Sequence, residues 1–447
     1  MLDRGLCDIR SFSGYLELGD FSIPINFAAH IDNRGEVEFD FGSIALTQET
    51  MFIRINWDKD HNYFSLTGKS TDGIEFKTED FQFNSVGHET SREHGSRMTL
   101  AGRCSRAYFR RILTELSPNP IICMWLKGFR SFRQMEQNCR LGKVSIGGKS
   151  SIEDPDTITG YISVIYDGDT SDQLGWRKEA EELLEHLRRV MSFGSATVLQ
   201  APITEYFAGS ELEVVALSQT RQAPAFLQTF HYLDQQPIFD AAVKSFFDPP
   251  FIVKNLFFAI EWFAMDATFN EVRLVNAMTV IENLVASNLE NCDSLIRPPK
   301  EFDKTRTKLR QVIKKCVDKW SVEDAEKVKD VVAELNEKLA DLNRRSIFQK
   351  LKILAERWSV PLEGISDDKI KAAKRARDLI VHRGHYYEEE NDKTDDLWEH
   401  VTIIREIVVR FLLTAIGYKG RYLSYLGGYH DANFPPREVN EEATEAT

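Results

Sequence analysis

Arg377-Asp378-Leu379-Ile380-Val381-His382-Arg383-Gly384 closes a helix in the C-terminal half of this chain and carries its most telling pair of side chains. Arg377 is permanently charged, and histidine is the one side chain whose ordinary pKa lies near neutrality. Upstream, Ser366 followed by Asp367 and Asp368 supplies a capping hydroxyl and two acids, the signal of a helix N-terminus. Five residues of separation turn a helix through about 500°, so Arg377 and His382 point roughly 140° apart. They converge if His382 sits where the helix ends and the backbone turns. Gly384 supplies that ending, as glycine does just past helix C-termini.

Helical periodicity extends in both directions from this stretch, beginning near Pro237. Asp248-Pro249-Pro250 breaks the chain, and Phe251 to Met265 reads as a buried core helix. It is too short for a membrane span and carries Lys254 and Glu261. Thr268 to Glu271 has the capping-box pattern and opens a helix with Leu274, Ala277, Met278, Ile281, Leu284 and Val285 on its apolar side. Glu282 falls beside Val275, Met278 and Val285; a carboxylate buried there wants a cationic partner, of which Arg377 is the obvious one, the alternatives being a surface pair with a nearby lysine or a polar core contact. A basic helix follows Arg297-Pro298-Pro299, then a charged amphipathic helix at Ser321 to Leu342, and a last long helix at Leu397 to Gly417.

The first 170 or so residues read differently. Phe12 to Leu18, Val37 to Phe41, Phe52 to Trp57, Phe64 to Gly68, Ile74 to Phe76, Met98 to Ala101 and Tyr161 to Tyr166 are short and rich in aromatic and β-branched residues. Turn signals such as Asp32-Asn33-Arg34-Gly35 and Thr71-Asp72-Gly73 separate them. A helix at Trp176 to Phe193 and a strand at Glu213 to Leu217 follow. The chain therefore reads as an α+β multidomain protein. An antiparallel β-sandwich or barrel-like domain spans residues 1–200, and a connecting segment 201–250. An all-α helical bundle spans 251–430, and a disordered acidic tail 431–447.

The 447 residues allow substantial cores, and 28% charged with 42% hydrophobic residues is ordinary for a globular protein. Six cysteines without a Cys-x-x-Cys pair argue against a zinc ribbon or a secreted disulfide framework and suit a reducing cytosol. The first residues, Met1 to Asp8, carry no apolar run of signal-peptide type. A net charge of −13 disfavours indiscriminate nucleic-acid binding. Between Lys300 and Trp320, however, eight basic residues face three acids, 8 − 3 = +5; such a helix is commonly a solvated face, and as an RNA groove it offers Lys304, Lys308 and Lys315 as phosphate contacts beside Lys374. His88-Glu89 with His94 lacks the His-Glu-x-x-His spacing and reads as loop polarity, so no metal site is expected.

Arg377-x4-His382 with Asp378 after the arginine resembles the signature of the HEPN superfamily, whose active members are metal-independent ribonucleases. With Glu282 on an earlier helix and the run Ile403 to Tyr429, the wider match looks like the ApeA-like HEPN proteins of bacterial anti-phage defence. The resemblance implies a HEPN bundle, a two-fold dimer or higher homo-oligomer, and a bacterial cytoplasmic effector released by a phage-derived trigger. Its substrate would be RNA, with transfer RNA favoured by analogy. Some members carry a tyrosine two residues after the histidine, where this chain has Gly384.

Metal-free RNA cleavage needs a base for the ribose 2′-OH, an acid for the departing 5′-oxygen, and positive charge on the phosphorane. His382 suits either proton role. Arg377 suits the electrostatic one. Asp378 would orient the imidazole or set the Arg377 rotamer, and His385 and Tyr386 are local candidates for a second proton role. The competing reading is a non-catalytic dimerisation module with a β-domain that binds a protein or carbohydrate. No cofactor is expected in either case.

Overall fold

Period-two alternation around Phe12 and Leu16 builds a β-rich unit at the start of the chain. The computed structural model describes residues 8–57, 63–91, 95–168, 173–224, 226–265, 267–317, 325–386 and 397–436. The chain divides into two units, Met1–Asp248 and Pro249–Thr447.

The first unit contains β1 (Arg10–Leu18), β2 (Phe21–Ile31), β3 (Val37–Asp40), β4 (Ser43–Ala45), α1 (Gln48–Asn56), β5 (Phe64–Ser70), β6 (Glu75–Ser91), β7 (Gly95–Arg103), β8 (Arg106–Lys127), β9 (Met135–Cys139), β10 (Gly142–Gly148), β11 (Ile158–Ile165), α2 (Gln173–Ser195), β12 (Ile203–Leu217) and α3 (Gln236–Phe247). Its twelve strands form one branched antiparallel sheet, ordered β3-β2-β1-β5-β6-β8-β11-β10-β9, with β12 on β8 and β7 on β6 and β4. The long strands β6 and β8 change partners along their length, which makes the branches. Phe12, Phe27, Phe76, Phe81 and Phe109 fill the core, in ring contacts 5.1 to 5.7 Å apart such as Phe12–Phe27 and Phe76–Phe109. Each such ring contributes about 1.5–3 kcal/mol by leaving water. Gly14 and Gly68 oppose each other across β1 and β5, and a Cβ on Gly14 would lie 1.8 Å from the Thr67 carbonyl oxygen. Only glycine allows that approach.

Three expectations change here. Phe52 to Trp57 is not a strand but part of α1, because Thr47 and Thr50 exchange side-chain and backbone hydrogen bonds as a capping box. The supposed connecting segment 201–250 belongs to the first unit as far as Asp248: β12 pairs with β8 from Ile203 to Leu217, and α3 packs on α2. His88 and Glu89 lie in β6, opposite Met98 and Arg97, rather than in a loop; His94 is outside the described residues.

The second unit contains α4 (Leu256–Ala264), α5 (Asn270–Asn288), α6 (Pro299–Val317), α7 (Ala325–Asp341), α8 (Ile347–Trp358), α9 (Asp367–Arg383), α10 (Leu397–Ala415), β13 (Gly420–Ser424) and β14 (His430–Phe434). It is therefore helical but not all-α. The β13–β14 hairpin takes in part of the expected disordered tail, with Phe434 buried near Tyr422, while residues 437–447 lie outside the described set. The expected capping box at Thr268 does not form, because Phe269 occupies the N-cap of α5. The segment from Phe251 is only partly buried: α4 hides Ala259, Ile260 and Ala264 but exposes Phe258, and Ile252 before it is exposed. Among the described residues no helix is long and apolar enough to cross a membrane.

Helix α10 is buried along almost its whole length and packs against α4, α5, α8 and α9. Its Glu406 accepts hydrogen bonds from Arg410 Nε at 2.9 Å, Ser424 Oγ at 2.8 Å and the Tyr422 hydroxyl. A buried carboxylate with that many donors is stabilised rather than stranded, and it fastens the hairpin to the helices.

Candidate functional site

Helix α9 begins as its sequence requires. Ser366 Oγ accepts from the Lys369 amide, and Asp367 and Asp368 sit in the first turn. Ile370, Ala373, Ala376 and Ile380 form its buried stripe, and the helix packs on α5 and α10. It ends where expected, with Gly384 at φ 84° donating its amide to the Ile380 carbonyl at 2.8 Å.

Arg377 borders the buried stripe and reaches α5. Its Nη2 lies 2.9 Å and 3.2 Å from the two carboxylate oxygens of Glu282, so the expected partnership is present. Its Nη1 donates to Asp378 Oδ1 at 3.3 Å, and Asp378 also accepts from Lys374 one turn earlier. Burial pushes the Asp378 carboxyl up, but the Lys374 ammonium and Arg377 guanidinium outweigh it and hold it below the usual carboxylate range. Two cations and two carboxylates thus form one network, and Lys374 is tied into it rather than free for phosphate. Arg377 Nε is buried with no acceptor among the described residues. A buried donor left without an acceptor is uncommon, and a functional role is one of the reasons such a group is kept.

His382 is exposed, in the last turn of α9, with no polar partner among the described residues. Because the helix runs on through Arg383, His382 keeps its helical direction. The expected convergence at the helix end therefore does not occur within one chain: Arg377 turns to α5 while His382 faces outward. Asp378 sets Arg377 and shows no bond to His382. Of the other candidates, His385 is exposed beyond the helix, and the Tyr386 hydroxyl lies 3.4 Å from Nε2 of buried His400 on α10. His400 was missed from sequence, since a lone histidine in an apolar helix reads as core. Lys304, Lys308 and Lys315 are exposed on one face of α6, a helix that packs on α7.

The first unit has a separate feature, a groove of about 800 Å³ on the face of the sheet opposite the core. Exposed Tyr15 and Tyr108 lie in one cross-strand row with Thr67 and Lys77. Its charges are paired, as in Lys69–Glu75 at 3.1 Å, Lys77–Glu79 and Arg177–Glu213, both at 2.7 Å.

Comparison with family models, with curated proteins and with solved structures finds no match to this chain.

Proposed function

We propose that the helical unit is a HEPN-type, metal-independent endoribonuclease and that the chain is an abortive-infection effector of the bacterial cytoplasm, controlled by its β-rich unit. One observation carries the reading. Arg377 is held by Glu282 across two helices with an N–H left unsatisfied, and an exposed imidazole follows on the same helix.

In this scheme His382 takes the proton from the ribose 2′-OH, whose oxygen attacks phosphorus. The P–O5′ bond breaks, and a second imidazole protonates the departing oxygen. The products are a 2′,3′-cyclic phosphate and a 5′-hydroxyl. Arg377 stabilises the charge that builds on the phosphorane. One chain offers a single His382, facing away from its own Arg377, which supports a two-fold dimer that pools both residues at one cleft. The basic face of α6 would receive the RNA backbone, transfer RNA being the first candidate. A phage-derived trigger would act through the β-rich unit.

The test is cleavage of end-labelled transfer RNA by wild type, His382→Ala and wild type in EDTA. Cyclic-phosphate ends from wild type, unchanged by EDTA and absent from His382→Ala, are expected. Full activity in His382→Ala, or its loss on chelation, would overturn the mechanism.

The tyrosine-bearing groove favours a second reading, in which the helical unit only dimerises and the β-rich unit recognises a protein or carbohydrate.

A further inference from the structure

The first unit carries a second, half-open pocket of about 290 Å³, at the lower end of the sizes typical of small-molecule sites. Arg130, Glu153, Ser195, Tyr232 and Gln235 line it. The Arg130 guanidinium lies 4.0 Å over the Tyr232 ring and donates from Nε and Nη2 to the Ser150 carbonyl at 3.2 and 3.0 Å. It is thus fixed in place, with Nη1 unused and no carboxylate partner among the described residues. Glu153 lines the same cavity, also without an ion pair, so two opposite charges face one space without neutralising each other.

Gln235 adds an independent sign. It is 4% exposed, and its Oε1 is buried with no hydrogen-bond donor among the described residues. A buried amide oxygen without a donor is costly, and a ligand bringing a hydrogen bond would recover that cost. Ser195, the last residue of α2, and Gln235, the N-cap residue of α3, both line it, so one negative and one positive helix pole border the pocket.

We propose that this cavity binds a small zwitterion of the α-amino-acid class, its carboxylate on Arg130 and its ammonium on Glu153, with Gln235 completing the hydrogen bonds. An anion alone would leave Glu153 opposed to it, and an amine alone would leave Arg130 unserved. The volume matches a ligand of amino-acid size more closely than an oligosaccharide or a dinucleotide. This concerns the first unit only and does not rest on the nuclease reading.

The test is calorimetric titration of the full chain with each of the twenty amino acids at millimolar concentration, and with the N-acetylated and amidated forms of any that binds. At least one amino acid should bind, and both blocked forms should bind at least tenfold more weakly. Arg130→Gln and Glu153→Gln should each raise the Kd at least tenfold, and Glu153, being exposed, tests the site without threatening the fold. His382→Ala should bind as wild type does. No binding by any of the twenty, equal binding of blocked forms, or an unchanged Kd in folded Glu153→Gln would overturn the proposal.

Discussion

Replacing Arg377 with methionine keeps an aliphatic stem against the buried stripe of α9 and removes only the guanidinium. Two structural terms then oppose each other. Glu282 is 39% exposed, so its ion pair with Arg377 is screened and contributes about 0.5–1 kcal/mol. Arg377 Nε, buried without an acceptor, costs about 1–3 kcal/mol while it is there. The substitution should therefore leave stability unchanged or raise it by up to about 2.5 kcal/mol. Cleavage, by contrast, should fall about 10²–10³-fold, the usual consequence of removing one charge-stabilising donor from a reaction centre. Arg377→Lys keeps the charge but cannot contact Glu282 and Asp378 together, so an intermediate loss is expected. The assay pairs urea unfolding, read by tryptophan fluorescence, with initial rates of RNA cleavage. A variant destabilised by more than about 2 kcal/mol, whose activity tracks only its folded fraction, would show that Arg377 is structural and would refute the reasoning.

The remaining outcomes are as specific. His382→Ala should fold normally and lose RNA cleavage and cellular toxicity together, since the exposed imidazole supplies no core volume; a toxic variant would exclude the assigned role. Light scattering should give a dimer or larger species, and mixing wild type with Arg377→Ala should depress activity per wild-type chain; a cleaving monomer would exclude the shared cleft. Deleting residues 1–248 should remove the response to phage while keeping the chemical groups, giving constitutive toxicity if the β-rich unit restrains the nuclease. Burial, more than any neighbour, lowers the His186 pKa from 6.5 to about 4. A lowered folded value makes protonation a cost. Stability should therefore be complete above about pH 6.5 and fall by about 3 kcal/mol as pH drops toward 4, and His186→Gln should flatten that slope in pH-dependent urea unfolding.

Where a pairing follows from helical period or the chemistry is local, the sequence is readable. Glu282 shares a helix face with Val275, Met278 and Val285, and Arg377 pairs with it although it is 39% exposed. Ser366 and Gly384 bound α9 because capping is local chemistry, complete within a few residues. Readings failed where partners are distant. Pro24 hides β2, yet it is tolerated because β3 covers only residues 28–31 of that strand and leaves Pro24 at an edge. Pro118 and Pro120 obscure β8, and they fall where its register with β12 shifts between Ser117 and Ile121. Phe52 to Trp57 is an apolar run that suits either period, and Thr47 with Thr50 decided for helix. The direction of His382 depended on one residue of helix length, beyond what a glycine two positions later could settle.

That direction is also the strongest structural reason to look for a second chain. In the second unit, α10 is nearly wholly buried, and the Glu406 network pins it to the hairpin. α9 lies against this rigid element through Ile370, Ala373, Ala376 and Ile380, so the helix backbone that carries Arg377 and His382 cannot swing far without unpacking the unit. A rigid helix that commits its arginine inward and its histidine outward offers half of an acid–base pair to solvent. Two-fold symmetry is the least costly way to complete it, because one rotation brings a second, identical half without any change of backbone. An alternative within one chain would need a nearby second proton carrier. Tyr386 is engaged with His400, which leaves exposed His385 as the candidate to eliminate. If His385→Ala cleaves at the wild-type rate while His382→Ala is silent, the second imidazole belongs to the other chain.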